Sequence, residues 1–412
     1  MRKIYACMDI GSHSIKIVVT EKCDEKFVVL SRFIVKSKGV TGGKIVNEEE
    51  ALFSVKKAID MVQKDLGITL TSVLCVLPSE SADFRMVRGE TAIHGPIGQQ
   101  EITKVLQDAV SFEIEEDRVL VSIHPVFYSV DDQENLKDVR GMSGTTLGVK
   151  AVIATLEKSY ARSFSSLLKR LGIELVDVEL SLVGDYYAIK NPELDRSVVG
   201  LINIGYDKTE IGIFNKGILI KSESIDIGSR MVDKDIAFHY HLERKKCRYL
   251  KETFAVSNTR YADVNEKISI QNREGVTITI NQLQISEIVE ARIYEILKLA
   301  KKQISILTNR EIRYIIVTGG ISEIAGFEYT LENVFGRQAF VLSENDMGVR
   351  SNSYSSCFGF TKCFSERLEL RDKAYSMIRD TDIEGMGKRG KKTASEGGLG
   401  GLINYFTGNK ED

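Results

Sequence analysis

Two stretches of this chain share one pattern. YACMDIGSHSIKIVVTEK (5–22) and GLINIGYDKTEIGIFNKG (200–217) each run an apolar strand into Asp or Asn, Ile and Gly, then polar turn residues, then a second apolar strand. They lie about 194 residues apart. A repeat at that separation points to two related lobes, each opening on a strand–turn–strand unit.

The segments between the copies alternate in period. IYACMDIG, SIKIVVTEK and KFVVLSRFIVK read as a strand series. Residues 48–66 place Ala51, Val55, Ala58, Ile59 and Val62 at helical spacing before Gly67, and TSVLCVLP reads as the next buried strand. Strand, helix, strand is an α/β unit. Residues 84–164 differ: short strands such as VLVSIHPVFYSV and LGVKAVIATL surround the loop DDQENLKDVRGMSG, as in a small inserted domain. The helix SYARSFSSLLKRLG then returns the chain to VDVELSLVGDYYAI. After the second repeat come charged helical stretches including DKDIAFHYHLERKK, a β-like run VTITINQL, a long helix SEIVEARIYEILKLAKKQI and a buried strand YIIVTGG. Residues 380–398 are rich in Gly, Lys and Ser and read as a linker.

The chain holds 412 residues with 43% hydrophobic content, ample for ordinary cores. A net charge of −2 gives no overall electrostatic reason to expect nucleic acid. The start lacks a signal-peptide pattern, and no stretch approaches the roughly 18 apolar residues that cross a bilayer, so a cytoplasmic protein is expected. The six cysteines form no CxxC pair and read as reduced core residues. His239 and His241 are spaced to face apart on a helix, which argues against a shared metal.

A strand that ends in a tight glycine turn offers its backbone N–H groups to phosphate oxygens. DIGSHSIK (9–16) and NIGYDKTE (203–210) provide one such turn per lobe, and Gly319-Gly320 follows a strand in the second lobe. Two facing hairpins suit a triphosphate held between lobes, with the nucleoside on the TGG segment.

In that order, DIGSHSIK, NIGYDKTEIGIFNKG and VTGGISEIAGFEYTLENVFG resemble the two phosphate loops and the adenosine motif of the actin, Hsp70 and sugar-kinase superfamily. Within it the chain is most similar to the bacterial FtsA family, over nearly all of residues 1–380. IHPVFYSVDD with VRGMSGTTLGVKAVIAT resembles that family's inserted subdomain, and DIGSRMVDKDIAFHYHL adds to the likeness. The resemblance implies an α/β, actin-like two-lobed ATPase fold with an inserted subdomain and a C-terminal amphipathic helix on a flexible linker. The first lobe core would be 1–83 and 165–196, the insert 84–164, the second lobe core 197–227 and 305–379, and its smaller subdomain 228–304. It also implies ATP and Mg²⁺ as ligands. Asp9 would hold Mg²⁺, mainly through water; Gly11, Ser12, His13 and Lys16 would meet phosphates. The backbone around Asn203, Gly205, Tyr206 and Lys208 would hold their other side. Gly319, Gly320 and Ile321 would meet adenosine, and Lys251 the ribose or base edge.

The second loop departs from the superfamily's DIGGGT. Asn203 stands where an acid is usual, and Tyr206 and Asp207 replace glycines. An amide neither adds negative charge for Mg²⁺ nor accepts a proton from water, so ATP is expected to act as a clasp with slow or absent hydrolysis. No catalytic residue is assigned.

Residues 399–412 follow the linker as a candidate membrane tail. On a helix Leu399, Leu402, Ile403 and Phe406 share one arc, and Lys388, Arg389, Lys391 and Lys392 precede them. The resemblance implies such a membrane-targeting helix, self-association into filaments, and a peripheral place on the cytoplasmic face of the membrane at the division septum. It implies FtsZ, through its C-terminal peptide, as a partner beside other division proteins; Arg292 and Lys298, with Lys301 and Lys302, are candidate contacts for that acidic peptide. The alternatives are a PilM-like pilus adaptor and a small-molecule kinase of the same superfamily. The kinase would need a carboxylate that Asn203 does not supply.

Overall fold

The computed structural model describes residues 2–111, 114–343, 351–371, 373–378 and 382. The expected linker, apart from Asp382 itself, falls outside this set, as does the whole tail with Leu399, Leu402, Ile403 and Phe406.

The first lobe opens as the repeat predicts. Strands β1 (Lys3–Ile10), β2 (Ser14–Cys23) and β3 (Lys26–Lys36) form a meander, followed by a small hairpin of β4 (Val40–Thr41) and β5 (Lys44–Ile45). Helix α1 (Glu48–Leu66) starts where the Asn47 side chain accepts the Glu50 N–H and ends at Gly67. Its Ala51, Val55, Ala58, Ile59 and Val62 stripe is buried. Strand β6 (Ser72–Leu77) pairs parallel to β1, completing the α/β unit.

The inserted segment carries β7 (Asp83–Pro96), α2 (Gln99–Val110), β8 (Arg118–Val130), β9 (Gln133–Leu136) and β10 (Ser143–Glu157). Strands β7, β8 and β10 are long rather than short, and the short β9 occupies part of the expected loop. They form one antiparallel sheet in the order β7-β10-β8-β9. Helix α2, which the sequence reading passes over, packs so closely on β7 that a Cβ on Gly89 would lie 2.4 Å from the Val105 carbonyl oxygen. The insert's own core is drawn from residues 87–153. Helix α3 (Lys158–Arg170) instead buries Phe164, Leu167 and Leu168 in the core of the first lobe.

VDVELSLVGDYYAI divides into strand β11 (Glu174–Leu180), the fifth strand of the first sheet (β11-β6-β1-β2-β3), and helix α4 (Ser181–Ile189). The second lobe repeats the opening with β12 (Val198–Ile204), β13 (Thr209–Asn215) and β14 (Ile218–Ile225). Helix α5 (Arg230–Tyr240) stops at His241, whose left-handed backbone splits the charged run before α6 (Arg244–Tyr249). A hairpin of β15 (Lys267–Gln271) and β16 (Thr277–Asn281) leads into α7 (Gln282–Leu307), capped by Asn281 and Gln284 acting reciprocally. Strand β17 (Tyr314–Thr318), helix α8 (Phe327–Phe335) and β18 (Ala339–Val341) complete a sheet in the order β14-β13-β12-β17-β18. Helix α9 (Ser355–Leu370) then lies against α4.

Helices α4 and α9 are the seam between lobes. Their Leu182, Tyr186, Phe358 and Phe360 share one core with the first sheet and with Val199, Leu201 and Phe214 of the second. The opposite face of the second sheet packs on α5 and α7 in a separate core. The ends of β1 and β12 thus face one another across a gap floored by the starts of α4 and α9.

Candidate functional site

The two repeats close by the same hydrogen bond. Gly11 N–H donates to the Ser14 carbonyl at 3.1 Å, and Gly205 N–H to the Lys208 carbonyl at 3.0 Å. Both turns border a cleft of about 570 Å³ between the lobes, a size that suits a nucleotide. Asp9, Gly11, Ser12, His13 and Lys16 line it from the first lobe. Asn203, Gly205, Tyr206, Lys208, Lys251, Gly319, Gly320 and Ile321 line it from the second, so the sequence candidates for nucleotide contact all come together here.

Asp9 and Lys16 are cross-strand partners on β1 and β2, and Lys16 Nζ lies 2.7 Å from Asp9 Oδ2. Burial alone would lower the Lys16 ammonium, but the charge of Asp9 and its hydrogen bond outweigh this and hold it above its ordinary value. Ser12 Oγ accepts the Gly43 N–H at 3.0 Å, which ties the first turn to the β4–β5 hairpin. His13 stacks on Tyr206 at 4.2 Å between ring centroids, so the two turns touch directly. Burial, then the nearby cations led by Arg248, push the His13 imidazole down to about 4. It is therefore neutral at physiological pH, and any hydrogen bond it makes in the cleft is that of an uncharged ring.

The second turn neutralises its own charges. Asp207 pairs with Arg230 at 3.0 Å, and Lys208 Nζ bridges to Glu80 of the first lobe and to Asp226 at 3.1 Å. Beneath the turn, Asn203 Nδ2 donates to Asp185 Oδ2 at 2.7 Å, and Ser355 Oγ donates to Asp185 Oδ1 at 2.5 Å. Lys251 is buried against Asp233 at 2.7 Å. Gly319 has φ +101°, and a Cβ there would fall 2.3 Å from the Ile204 carbonyl oxygen. Only glycine lets the TGG strand end pass this close to the second turn.

The donor set fits a magnesium–triphosphate. Lys16, Lys208, Arg248 and Lys251 all border the cleft alongside two glycine turns. Among the described residues no group of three or more His, Cys, Asp or Glu is arranged to hold a metal directly. Asp9, a carboxylate already paired with Lys16, suits an ion that keeps most of its water, as Mg²⁺ does.

Sequence reasoning missed three participants. Glu80, Glu210 and Arg248 also line the cleft; Glu80 and Arg248 lie outside the glycine motifs and have no signal but their position in the folded chain. Glu210 closes the motif NIGYDKTE at the place Lys16 holds in DIGSHSIK, and is the cross-strand partner of Asn203. Arg292 and Lys298 lie elsewhere, on α7. Arg292 is held by Asp235 at 2.6 Å and by Glu295, and Lys298 sits over the Tyr294 ring at 4.6 Å. Lys301 donates to the Val334 carbonyl at 2.6 Å. All six cysteines are free, and all but Cys23 are buried. No helix among the described residues is long and apolar enough to cross a membrane.

Comparison with known proteins agrees with this geometry. The family described as "Cell division protein FtsA" matches residues 200–359, and the "SHS2 domain inserted in FTSA" matches residues 81–155. The chain is 23% identical over 388 residues to the cell division protein FtsA of Bacillus subtilis, covering 91% of this chain and 87% of that one. Among solved structures, it is similar to the PilM-PilN type IV pilus biogenesis complex. The TM-score is 0.59 at 11% identity, over 87% of this chain and 98% of the other. It is also similar to MreB5 of Spiroplasma citri bound to ADP, with a TM-score of 0.55 at 14% identity over 89% and 97%. The structural likenesses establish an actin-like fold, and the family matches in both the second lobe and the insert go further: the chain belongs to the FtsA family of cell-division proteins.

Proposed function

We propose that the protein binds ATP with Mg²⁺ in the interlobe cleft and polymerises on the cytoplasmic face of the membrane at the division septum. There it ties FtsZ filaments to the lipid through residues 399–412 and helps recruit other division proteins. The observation that carries this reading is the facing pair of glycine turns with Lys16, Lys208 and the Gly319-Gly320 segment around one cleft. The MreB5 neighbour with ADP supports nucleotide as the occupant.

In this reading the backbone of both turns and the lysines grip the phosphates, Asp9 orients the water shell of Mg²⁺, and Gly319 to Ile321 carry the nucleoside. The bound ion supplies charge neutralisation for the triphosphate. Because both lobes contribute, nucleotide fixes their relative angle, which is the quantity a stacking subunit must hold constant. Family membership favours this role over that of a pilus adaptor, with which the fold alone is shared.

Liposome co-sedimentation tests it. Full-length protein with ATP and Mg²⁺ is expected to pellet with anionic vesicles and to carry an FtsZ C-terminal peptide with it. A variant lacking residues 398–412 is expected to stay in the supernatant while still binding nucleotide. Equal pelleting of the two proteins, or pelleting indifferent to ATP, contradicts the proposal.

A further inference from the structure

Tyr206 puts a large side chain where the related loops carry glycine. Its ring lines the cleft and lies against His13 of the first turn, with 4.2 Å between centroids and 29° between planes. The guanidinium carbon of Arg248 stands 5.5 Å from the centre of the same Tyr206 ring. Two rings at this separation are in van der Waals contact, so no phosphoryl group fits between them. The turns that would face a triphosphate are joined across the gap by side chains.

Neither turn is free to yield by shifting its backbone. The His13 carbonyl accepts the Ser37 N–H at 2.9 Å, just past β3. The Gly205 and Tyr206 carbonyls accept the Ser229 and Arg230 N–H groups at the start of α5, at 2.9 Å each. Gly228 permits this approach: a Cβ there would fall 2.6 Å from the Tyr206 carbonyl oxygen. Parting the rings therefore takes side-chain rotation or movement of one lobe against the other. A second contact, the ion pair of Lys208 with Glu80, also joins the second turn to the first lobe. That pair is exchangeable, because a phosphate offers the ammonium another anion. The stack is not: its imidazole is uncharged, and aromatic faces carry partial negative charge that gives an anion nothing to hold.

We propose that the His13–Tyr206 stack is a gate across the phosphate end of the cleft, whose rings must part before the phosphates of a nucleotide reach the backbone N–H groups of the two turns. The gate rests on the nucleotide reading above and adds to it the pair that controls entry. The closed form holds the turns together without ligand, aided by the contact of Arg248 with the Tyr206 ring. Only the open form takes up nucleotide, so the observed affinity is the intrinsic one reduced by the open fraction.

His13→Ala, Tyr206→Ala and the double variant test this in the full-length chain. Both side chains are partly exposed, so truncating them leaves the cores intact. Calorimetry with Mg-AMPPNP and stopped-flow association of a fluorescently labelled AMPPNP are the measurements. Each single variant is expected to bind about three- to tenfold more tightly than wild type, with the gain in association and the dissociation rate within about twofold. The double variant should gain less than about twofold over the better single one, since either change alone removes the same contact. Tyr206→Phe keeps the ring and should bind as wild type does. The chain has no tryptophan, so Tyr206→Trp places a single indole on the gate, and its emission should change when AMPPNP binds. Single variants that bind no better than wild type, gains confined to dissociation, or an indole whose emission ignores AMPPNP would overturn the gate while leaving the nucleotide reading in place. Absence of AMPPNP binding by wild type and all variants removes the nucleotide reading and the gate with it.

Discussion

At the scale of single residues, the seam between lobes holds an acid whose ionisation opposes folding. Asp185 is fully buried; burial raises its carboxyl from 3.8 to about 7, helped by the charge of Glu210 and resisted by Ser355, Asn203 and Lys16. Between those values the folded protein keeps a proton that the unfolded chain has released. Stability therefore falls as pH rises through this window and is flat above it. The full difference corresponds to about 4 kcal/mol, of which about 2–3 kcal/mol lies between pH 5 and 7. Asp185→Asn removes the titration, and Asn203 can meet the new amide by turning its own carbonyl inward. Urea midpoints from about pH 5 to 8 should fall for wild type relative to the variant; parallel curves would remove Asp185 as the cause. Asp185 was not legible as a site residue in the sequence, and Glu210 was passed over although it closes the NIGYDKTE motif. A glycine-turn motif announces Asp9, Asn203 and the turns by their spacing. A carboxylate brought in by the next helix carries no local mark.

At the scale of elements, helices were readable where they had one wet face, and buried strands where a proline or glycine closed a short apolar run. Helix α1 shows its stripe because one side meets solvent, and the β1–β3 meander shows its turns. The α4 and α9 pair, on which the lobes meet, shows no such period. It lies between two sheets, and the first half of α9 is buried continuously from Ser355 to Thr361, so that stretch is apolar or small on every side. Gly184 and Gly359 set the spacing of this pair. A Cβ on Gly359 would stand 1.8 Å from the Gly184 carbonyl oxygen and 2.5 Å from the Ala188 nitrogen. The contact is backbone on backbone, so no side chain can yield. Gly359→Ala should push the helices apart, strain the Ser355–Asp185 hydrogen bond and destabilise by about 3 kcal/mol or more, at the top of the range for overpacking. Gly172→Ala is the control: its φ of +71° is strained for alanine but its surroundings are open, and about 1 kcal/mol is expected. Denaturant unfolding of the two variants distinguishes them, and equal losses would mean that helix spacing is not the constraint.

At the scale of the whole molecule, the proposed tail has to be weighed against the body it would anchor. Its chain leaves from the first lobe. Met377 N–H donates to the Ile4 carbonyl at 2.9 Å, and Met377 and Ile378 are buried in the core beside β1, the strand that ends at Asp9. A pull on the tether is thus borne by the lobe that carries the first phosphate turn. Four apolar side chains fully buried would contribute roughly 6–12 kcal/mol, but partial interfacial burial and the cost of nucleating a short helix leave about a third to a half of that. Such an anchor holds a single subunit only fleetingly. Linking subunits in a filament turns each further tail into an intramolecular contact and multiplies retention without any new interaction. Phe406→Glu places a charge within the apolar arc and should abolish pelleting of single subunits on vesicles. Under polymerising conditions it should lower retention at least about tenfold, because a weakened anchor is multiplied as faithfully as a strong one. Vesicle binding that ignores this substitution and follows salt alone would make the attachment an electrostatic tether carried by Lys388, Arg389, Lys391 and Lys392. Binding by dilute, unassembled protein as tight as that of filaments would break the link between assembly and membrane on which the proposed function depends.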